Sequence, residues 1–203
     1  MCNRAILLGI STGYIKGQAL ALRHLAWIEF LSGEHSKAQL YAQQSERLAR
    51  AAEDLYGEAG AARQEALFWK EVGHYKQSLW LCIQARDLLA LCGISASEAN
   101  LAIMNTQAEV HTCKSEYSKA QDIYTSMLQN VSVNQNAYWH AVALLNIAGV
   151  GLLVGVRKDF SQKDIECAQS IFNTSGLKSW VTACDPLLAA LCVRENFDSK
   201  ADV

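Results

Sequence analysis

Three glycines in the stretch GVGLLVG have a spacing close to that of dinucleotide-binding loops. Gly149, Gly151 and Gly155 form a G-x-G-x-x-x-G pattern. Such a loop needs a preceding strand and a helix that begins at the second or third glycine, because the backbone N–H groups at the start of the helix bind the pyrophosphate. Here the glycines fall in the later part of a helical segment that begins near Ala137. We therefore predict close helix–helix contact at these glycines and no cofactor.

The cysteines and histidines do not form a ligand set in the sequence. The seven cysteines include no C-x-x-C pair, and the five histidines include no H-E-x-x-H motif, so no metal site is expected. Most cysteines lie in apolar helical contexts, where a free thiol packs as a small hydrophobic group. Their odd number favours a reducing compartment and therefore a cytoplasmic protein. No G-x-S-x-G motif or electropositive cysteine indicates a nucleophile, and we predict a protein that is not an enzyme.

The charge and the hydropathy of the chain bear on its partners. The formal net charge is −2 and no block of like charges occurs, so neither nucleic acid nor an anionic membrane surface is indicated as a partner. The longest apolar run, residues 141–156, would span about 24 Å as a helix, less than the roughly 30 Å of a hydrocarbon core. We interpret this run as a helix surrounded by protein and expect no membrane association.

Small residues recur along the chain at an interval of about forty residues. Gly33, Gly73, Ser115 and Gly155 are separated by 40, 42 and 40 residues, and the letters SKAQ occur twice, beginning at Ser36 and Ser118. The chain has one proline, and its apolar residues recur at steps of three and four, which is typical of helices. Each small residue would then end a helix in the left-handed conformation that glycine tolerates. The pattern predicts helix, tight turn and second antiparallel helix, repeated along the chain.

The residues around these turns resemble the small–aromatic–small pattern of tetratricopeptide repeats. The matching second-helix sets are Gly33–Ala38–Ala42–Ser45, Gly73–Ser78–Cys82–Ala85 and Ser115–Ala120–Tyr124–Met127. The matching first-helix sets are Leu22–Leu25–Ala26, Ala62–Ala66–Trp69 and Met104–Ala108–His111. The period exceeds the usual 34 residues, so the chain is similar to the forty-residue variety found in the C-terminal repeat regions of fungal signalling NTPases. The resemblance implies an all-α fold, a right-handed superhelical array of antiparallel helix hairpins.

The repeat spacing predicts one repeat domain over residues 1–203. Its predicted parts are a second helix at 1–16, helix pairs at 17–56, 57–98, 99–136 and 137–177, a closing helix at 178–196 and a polar tail at 197–203. Asp185 and Pro186 should interrupt the closing helix, because proline lacks the N–H and clashes with the preceding turn. The sequence leaves open whether Pro186 kinks this helix or begins a new one.

The resemblance also implies a functional surface. In tetratricopeptide arrays the first helices line a concave face that binds peptides. On this chain that face would present Arg23, His24, Trp27, Arg63, Gln64, Asn105, Thr106, Glu109 and Asn146. These side chains carry donors and acceptors suited to a peptide backbone, and Trp27 beside Arg23 would be an anchor. We therefore expect a non-enzymatic module that binds a protein or peptide partner.

The alternative is a scaffold or sensor fragment of a larger multidomain signalling NTPase. Ile6, Leu7 and Leu8 lie on the opening half helix, whereas the terminal repeats of arrays normally present a polar outer face. An exposed apolar patch is expected there, covered by upstream repeats or by a second copy of the chain. The sequence does not decide between these two partners.

Overall fold

A computed structural model describes residues 2–94, 97–131, 133–154 and 162–201. Within these ranges the chain is helical with short turns and has no strand. The helices are α1 (Cys2–Thr12), α2 (Ile15–Leu31), α3 (His35–Ala51), α4 (Leu55–Glu71), α5 (Tyr75–Leu91), α6 (Glu98–Cys113), α7 (Tyr117–Asn130), α8 (Val133–Val154), α9 (Gln162–Thr174) and α10 (Lys178–Ala201). The predicted all-α array of helix hairpins is confirmed.

The predicted left-handed turns are present at three of the four small residues. Gly33 and Gly73 have φ values of 80°, and Ser115 has a φ of 59°. At Gly33 the glycine N–H donates to the carbonyl of Phe30, and the next N–H donates to the carbonyl of Glu29. This pair of bonds is a Schellman motif, and the same pair occurs at Gly73 and Ser115. Gly155 lies outside the described residues.

The small side chains that follow these turns are buried, as the repeat pattern predicts. Ala38, Ser78 and Ala120, each five residues after its turn, have 5%, 0% and 0% of their surface exposed. A small side chain at this position lets the two helices of a hairpin approach closely. The hydroxyl of Ser78 is also satisfied, since it donates to the carbonyl of Ala66 at 2.7 Å.

The chain forms two compact units, Met1–Val110 and His111–Val203. In the first unit the helices α1, α2, α3, α4 and α5 pack in sequence, and α2 also packs directly on α4. Small and aliphatic side chains of α4, α5 and α6, including Ala66, Cys82 and Ile103, form a core cluster there. In the second unit α7, α8, α9 and α10 pack in sequence, and α8 also contacts α10.

The helix α8 contains residues 141–154 of the long apolar run. Asn136 has non-helical dihedral angles, and its side chain accepts a hydrogen bond from the N–H of Trp139 at 3.2 Å. This contact caps a new helical segment after Asn136. Residues Asn136–Val154 have a mean hydropathy of 1.7 and are, in the described chain, the one helical stretch long and apolar enough to cross a membrane; half of it is buried in the protein. A partly buried core helix meets the same criterion.

At Pro186 the structure excludes one of the two alternatives that the sequence left open. The helix α10 runs from Lys178 to Ala201 with Pro186 inside it, so proline does not end the helix or begin a new one. The helix also continues beyond residue 196, where the sequence pattern placed its end. A single proline costs one hydrogen bond and a local clash, and a helix of 24 residues retains most of its backbone bonds.

Candidate functional site

Five of the nine predicted binding residues line one cavity in the first unit. The cavity has a volume of about 310 Å³ and lies between α2, α4 and α6. Its lining consists of Arg23, His24, Trp27, Tyr56, Ala59, Gly60, Arg63, Gln64, Ala99, Ala102 and Ile103. The predicted residues meet here because the repeat places α4 beside α2. Such a direct contact between first helices is what stacked hairpins produce.

Small residues make the room for this cavity. Ala59, Gly60 and Ala102 present no side chain beyond Cβ, and with Ala99 and Ile103 they form its apolar part. The polar groups come from α2 and α4, which contribute two arginines, a histidine and a glutamine. An apolar concavity with a few polar groups is the usual form of a ligand site.

Trp27 lies at the edge of the cavity with 36% of its surface exposed. Its indole stacks on the ring of Phe30, with centroids 5.6 Å apart and planes 16° from parallel. Phe30 in turn contacts the ring of His35, which contacts Phe68 of the next hairpin. These contacts hold Trp27 in one orientation, so it offers a preformed aromatic surface to a ligand.

Arg63 and Arg23 extend into the cavity from different helices. The Nε–H of Arg63 donates to the carbonyl of Ala102 at 3.1 Å, which ties α4 to α6. Arg23 is half-buried, and burial lowers the pKa of its guanidinium, an effect partly offset by Tyr56 and Asp54. Arg23 also lines a second cavity of about 170 Å³ together with Tyr56 and Asp54. Its guanidinium therefore lies where two cavities adjoin.

Three of the predicted residues lie on α6 and have other roles. Lys70 donates to Oε2 of Glu109 at 2.7 Å, and Asn105 donates to Oε1 of the same carboxylate at 2.7 Å. Burial alone would lower the pKa of Lys70, but Glu109 and Glu71 more than offset it, and the pKa is raised. Asn105 and Glu109 thus form a network with Lys70 that links α4 to α6, and neither lines the cavity.

Thr106 does not reach the surface, and its assignment to a binding face was wrong. Its side chain has 0% exposure, and its hydroxyl donates to the carbonyl of Ala102 at 3.0 Å within its own helix. A side chain without exposed surface cannot contact a partner. Asn146 lies half-buried on α8 in the second unit and is not one of the residues that line this cavity.

Sequence reasoning missed Tyr56, Gly60 and Lys70. Tyr56 and Gly60 lie on the first two turns of α4, one repeat of forty residues after Lys16 and Leu20 of α2. This repeat spacing was the signal in the sequence that could have indicated them. A Cβ at Gly60 would collide with the Arg23 guanidinium, so this glycine lets the arginine lie against the backbone of α4.

No group of three or more histidine, cysteine or carboxylate side chains suited to a metal ion gathers in the described ranges.

No protein-family model matches the sequence, and no curated protein matches it. Among solved structures, the fold is similar to that of BtubC (BKLC) from P. vanneervenii, with a TM-score of 0.64 and 13% sequence identity. The similarity covers 96% of this chain and 89% of BtubC. At this identity the comparison concerns the fold alone, and the fold that both proteins share is helical.

Proposed function

We propose that the chain is a non-enzymatic, tetratricopeptide-like interaction module of the cytoplasm that binds a peptide segment of a protein partner. The binding surface is the cavity between α2, α4 and α6, together with the exposed faces of these first helices. The observation that carries this proposal is the meeting of Arg23, Trp27 and Arg63, from two successive hairpins, around one cavity. A peptide that crosses this cavity would contact both hairpins at once, which favours an extended ligand.

The chemistry of the lining supports binding rather than catalysis. It combines two guanidinium groups, an imidazole, an amide and two aromatic rings. None of the described lining residues supplies a carboxylate, a thiol or an aliphatic hydroxyl that would pair with His24 as an activated nucleophile. The fixed indole of Trp27 beside polar groups is the arrangement typical of an interface anchor.

A selection from a displayed random peptide library would test the proposed function. Peptides selected on the immobilised chain should lose binding to Trp27→Ala and keep binding to Trp80→Ala. Trp80 is a matched control, because it is 50% exposed on α5 and does not line the cavity. Peptides that bind both variants equally well would show that the cavity is not the recognition surface.

A second candidate function is favoured by the exposed apolar side chains of α1. Leu7, Leu8 and Ile10 have 67%, 63% and 60% of their surface exposed. Side chains of this size suit packing against further repeats of a larger protein, such as a signalling NTPase, or against a second copy of the chain. Light scattering at increasing concentration would show self-association that Leu7→Glu with Leu8→Glu abolishes; a monomer at every concentration excludes the second copy.

A further inference from the structure

Arg23 differs in its contacts from two other arginines of the first unit. Arg50 donates to the carboxylates of Glu46 and Glu58, and Arg63 donates to a backbone carbonyl. Arg23, although half-buried, has no hydrogen bond or ion pair to any residue that the structure describes. Its side-chain nitrogens are not among the fully buried polar atoms, so they remain accessible to a ligand.

The neighbouring carboxylate does not supply the missing partner. Asp54 attracts Arg23 electrostatically but lies beyond ion-pair distance, because its Oδ1 accepts the N–H of Gly57 at 3.0 Å and caps α4. This N-cap keeps the carboxylate at the end of the helix. The donors of Arg23 therefore remain available at the cavity.

The backbone of α4 is shaped around the Arg23 guanidinium. A Cβ at position 60 would lie 2.8 Å from Cζ and 3.2 Å from Cδ of Arg23, and closer still to Nη1. Glycine is unfavourable inside a helix, so its presence at this contact indicates that the close approach matters. Arg63 follows three residues later on the same helix and lines the same cavity. Two guanidinium groups thus border one space whose described lining has no acidic residue.

We propose that Arg23 and Arg63 bind an oxyanion carried by an internal side chain of the peptide ligand, either the carboxylate of Asp or Glu or the phosphate of a phosphorylated residue. This inference rests on the proposed function and specifies its ligand. Guanidinium groups bind both kinds of oxyanion through paired N–H donors. Trp27 and Tyr56 would cover the apolar part of the residue that carries the anion, which lowers the dielectric around the contact.

Titrations of the full chain, followed by NMR of the Trp27 indole and the arginine Nε–H groups, test this inference. The probes are inorganic phosphate and three blocked tripeptides, acetyl-Ala-Glu-Ala-amide, its phosphoserine counterpart and its glutamine counterpart. The two anionic peptides should give saturable shifts that weaken with salt, and the glutamine peptide should give none. A response to phosphoserine alone identifies a phosphorylated ligand, and a response to glutamate as well identifies a general acidic one. Equal responses to all three peptides would overturn the inference.

Two variants and one control separate the anion site from the fold. Arg23→Gln should weaken the binding of the anionic peptides about 10- to 100-fold, since it removes a charged donor. Gly60→Ala keeps every charge but displaces the Arg23 guanidinium, so it should weaken binding as well. Arg86→Gln removes one positive charge from α5, outside the lining, and should leave binding unchanged. Unchanged binding in both Arg23→Gln and Gly60→Ala would refute the proposal.

The anion site can be refuted while the proposed peptide binding holds. Displayed peptides that require Trp27 but bind Arg23→Gln as tightly as the parent chain would support peptide binding and refute the anion site. A peptide with a free C-terminal carboxylate and no acidic side chain serves as a further probe. If only this peptide shifts the Trp27 signal, the ligand group is the chain terminus, and the assignment to an internal side chain is wrong.

Discussion

Replacing Ser115 by glycine should stabilise the protein. Ser115 has a φ of 59° at the same place in its hairpin where Gly33 and Gly73 have a φ of 80°. A residue with a Cβ pays about 1–2 kcal/mol in this left-handed conformation. Glycine avoids that cost but loses about 0.5–1 kcal/mol more backbone entropy on folding. The net gain for Ser115→Gly is about 0.5–1 kcal/mol, which for a chain of this size raises the melting temperature by roughly 1–4 °C.

Urea unfolding followed by circular dichroism measures this change, with two comparison variants. Gly73→Ser makes the reverse substitution at the equivalent turn and should lower the free energy of unfolding by a similar amount. Ser118→Gly makes the same chemical change on an exposed position in the first turn of α7 and should destabilise the chain by about 0.5–1 kcal/mol. If Ser115→Gly lowers the free energy of unfolding as much as Ser118→Gly does, the left-handed conformation of Ser115 carries no cost in stability. That result would refute the reasoning.

The remaining predictions concern a buried carboxyl, a thiol and a hydroxyl. Burial, with a contribution from Glu46, raises the pKa of Glu65 to about 7; folding therefore favours the protonated acid, and stability falls as pH rises from about 4.5 through 7. In urea melts, Glu65→Gln and the parent chain should have the same free energy of unfolding at pH 4. At pH 8 the free energy of unfolding of Glu65→Gln should be higher by about 1–2 kcal/mol, a value reduced to allow for the partial exposure of Glu65. Cys82 is buried with a pKa raised to about 12, whereas Cys113 is exposed, so a thiol reagent at pH 8 should label Cys113 in the folded chain and Cys82 only after denaturation. Ser78→Ala should lower the free energy of unfolding by about 0.5–1.5 kcal/mol in the same melts, because it removes a buried hydrogen bond.

The turns were predictable because their cause is local. A left-handed C-cap depends on one residue and on the hydrogen bonds of the preceding helical turn. The spacing of Gly33 and Gly73 located the third turn at Ser115, even though serine by itself does not indicate a left-handed residue. Pro186 shows the opposite case. The local rule allowed either a kink or a new helix there, and only the structure shows that α10 continues through the proline.

The site was predictable only in part, because it depends on the rotation of each helix. A register error of one residue turns a side chain by about 100° around the helix axis. Arg23 and Arg63 occupy equivalent places in successive repeats, so the period brought both to the same cavity. Thr106 on α6 faces inward, and no spacing rule fixed that rotation. The contact of Lys70 with Glu109 joins residues on neighbouring repeats, and a single helix pattern cannot indicate which donor meets which acceptor.

The placement of Arg23 against Gly60 has a consequence for screening. The fold partly buries this guanidinium and holds it against the backbone of α4, so an oxyanion that docks there meets a preorganised donor and gains more free energy than at a mobile surface arginine. Ligands that bind only the native state raise the melting temperature. A thermal-shift panel at matched ionic strength should therefore show a larger advantage of sulfate and phosphate over chloride in the parent chain than in Gly60→Ala, because the general stabilising effect of these anions is common to both chains.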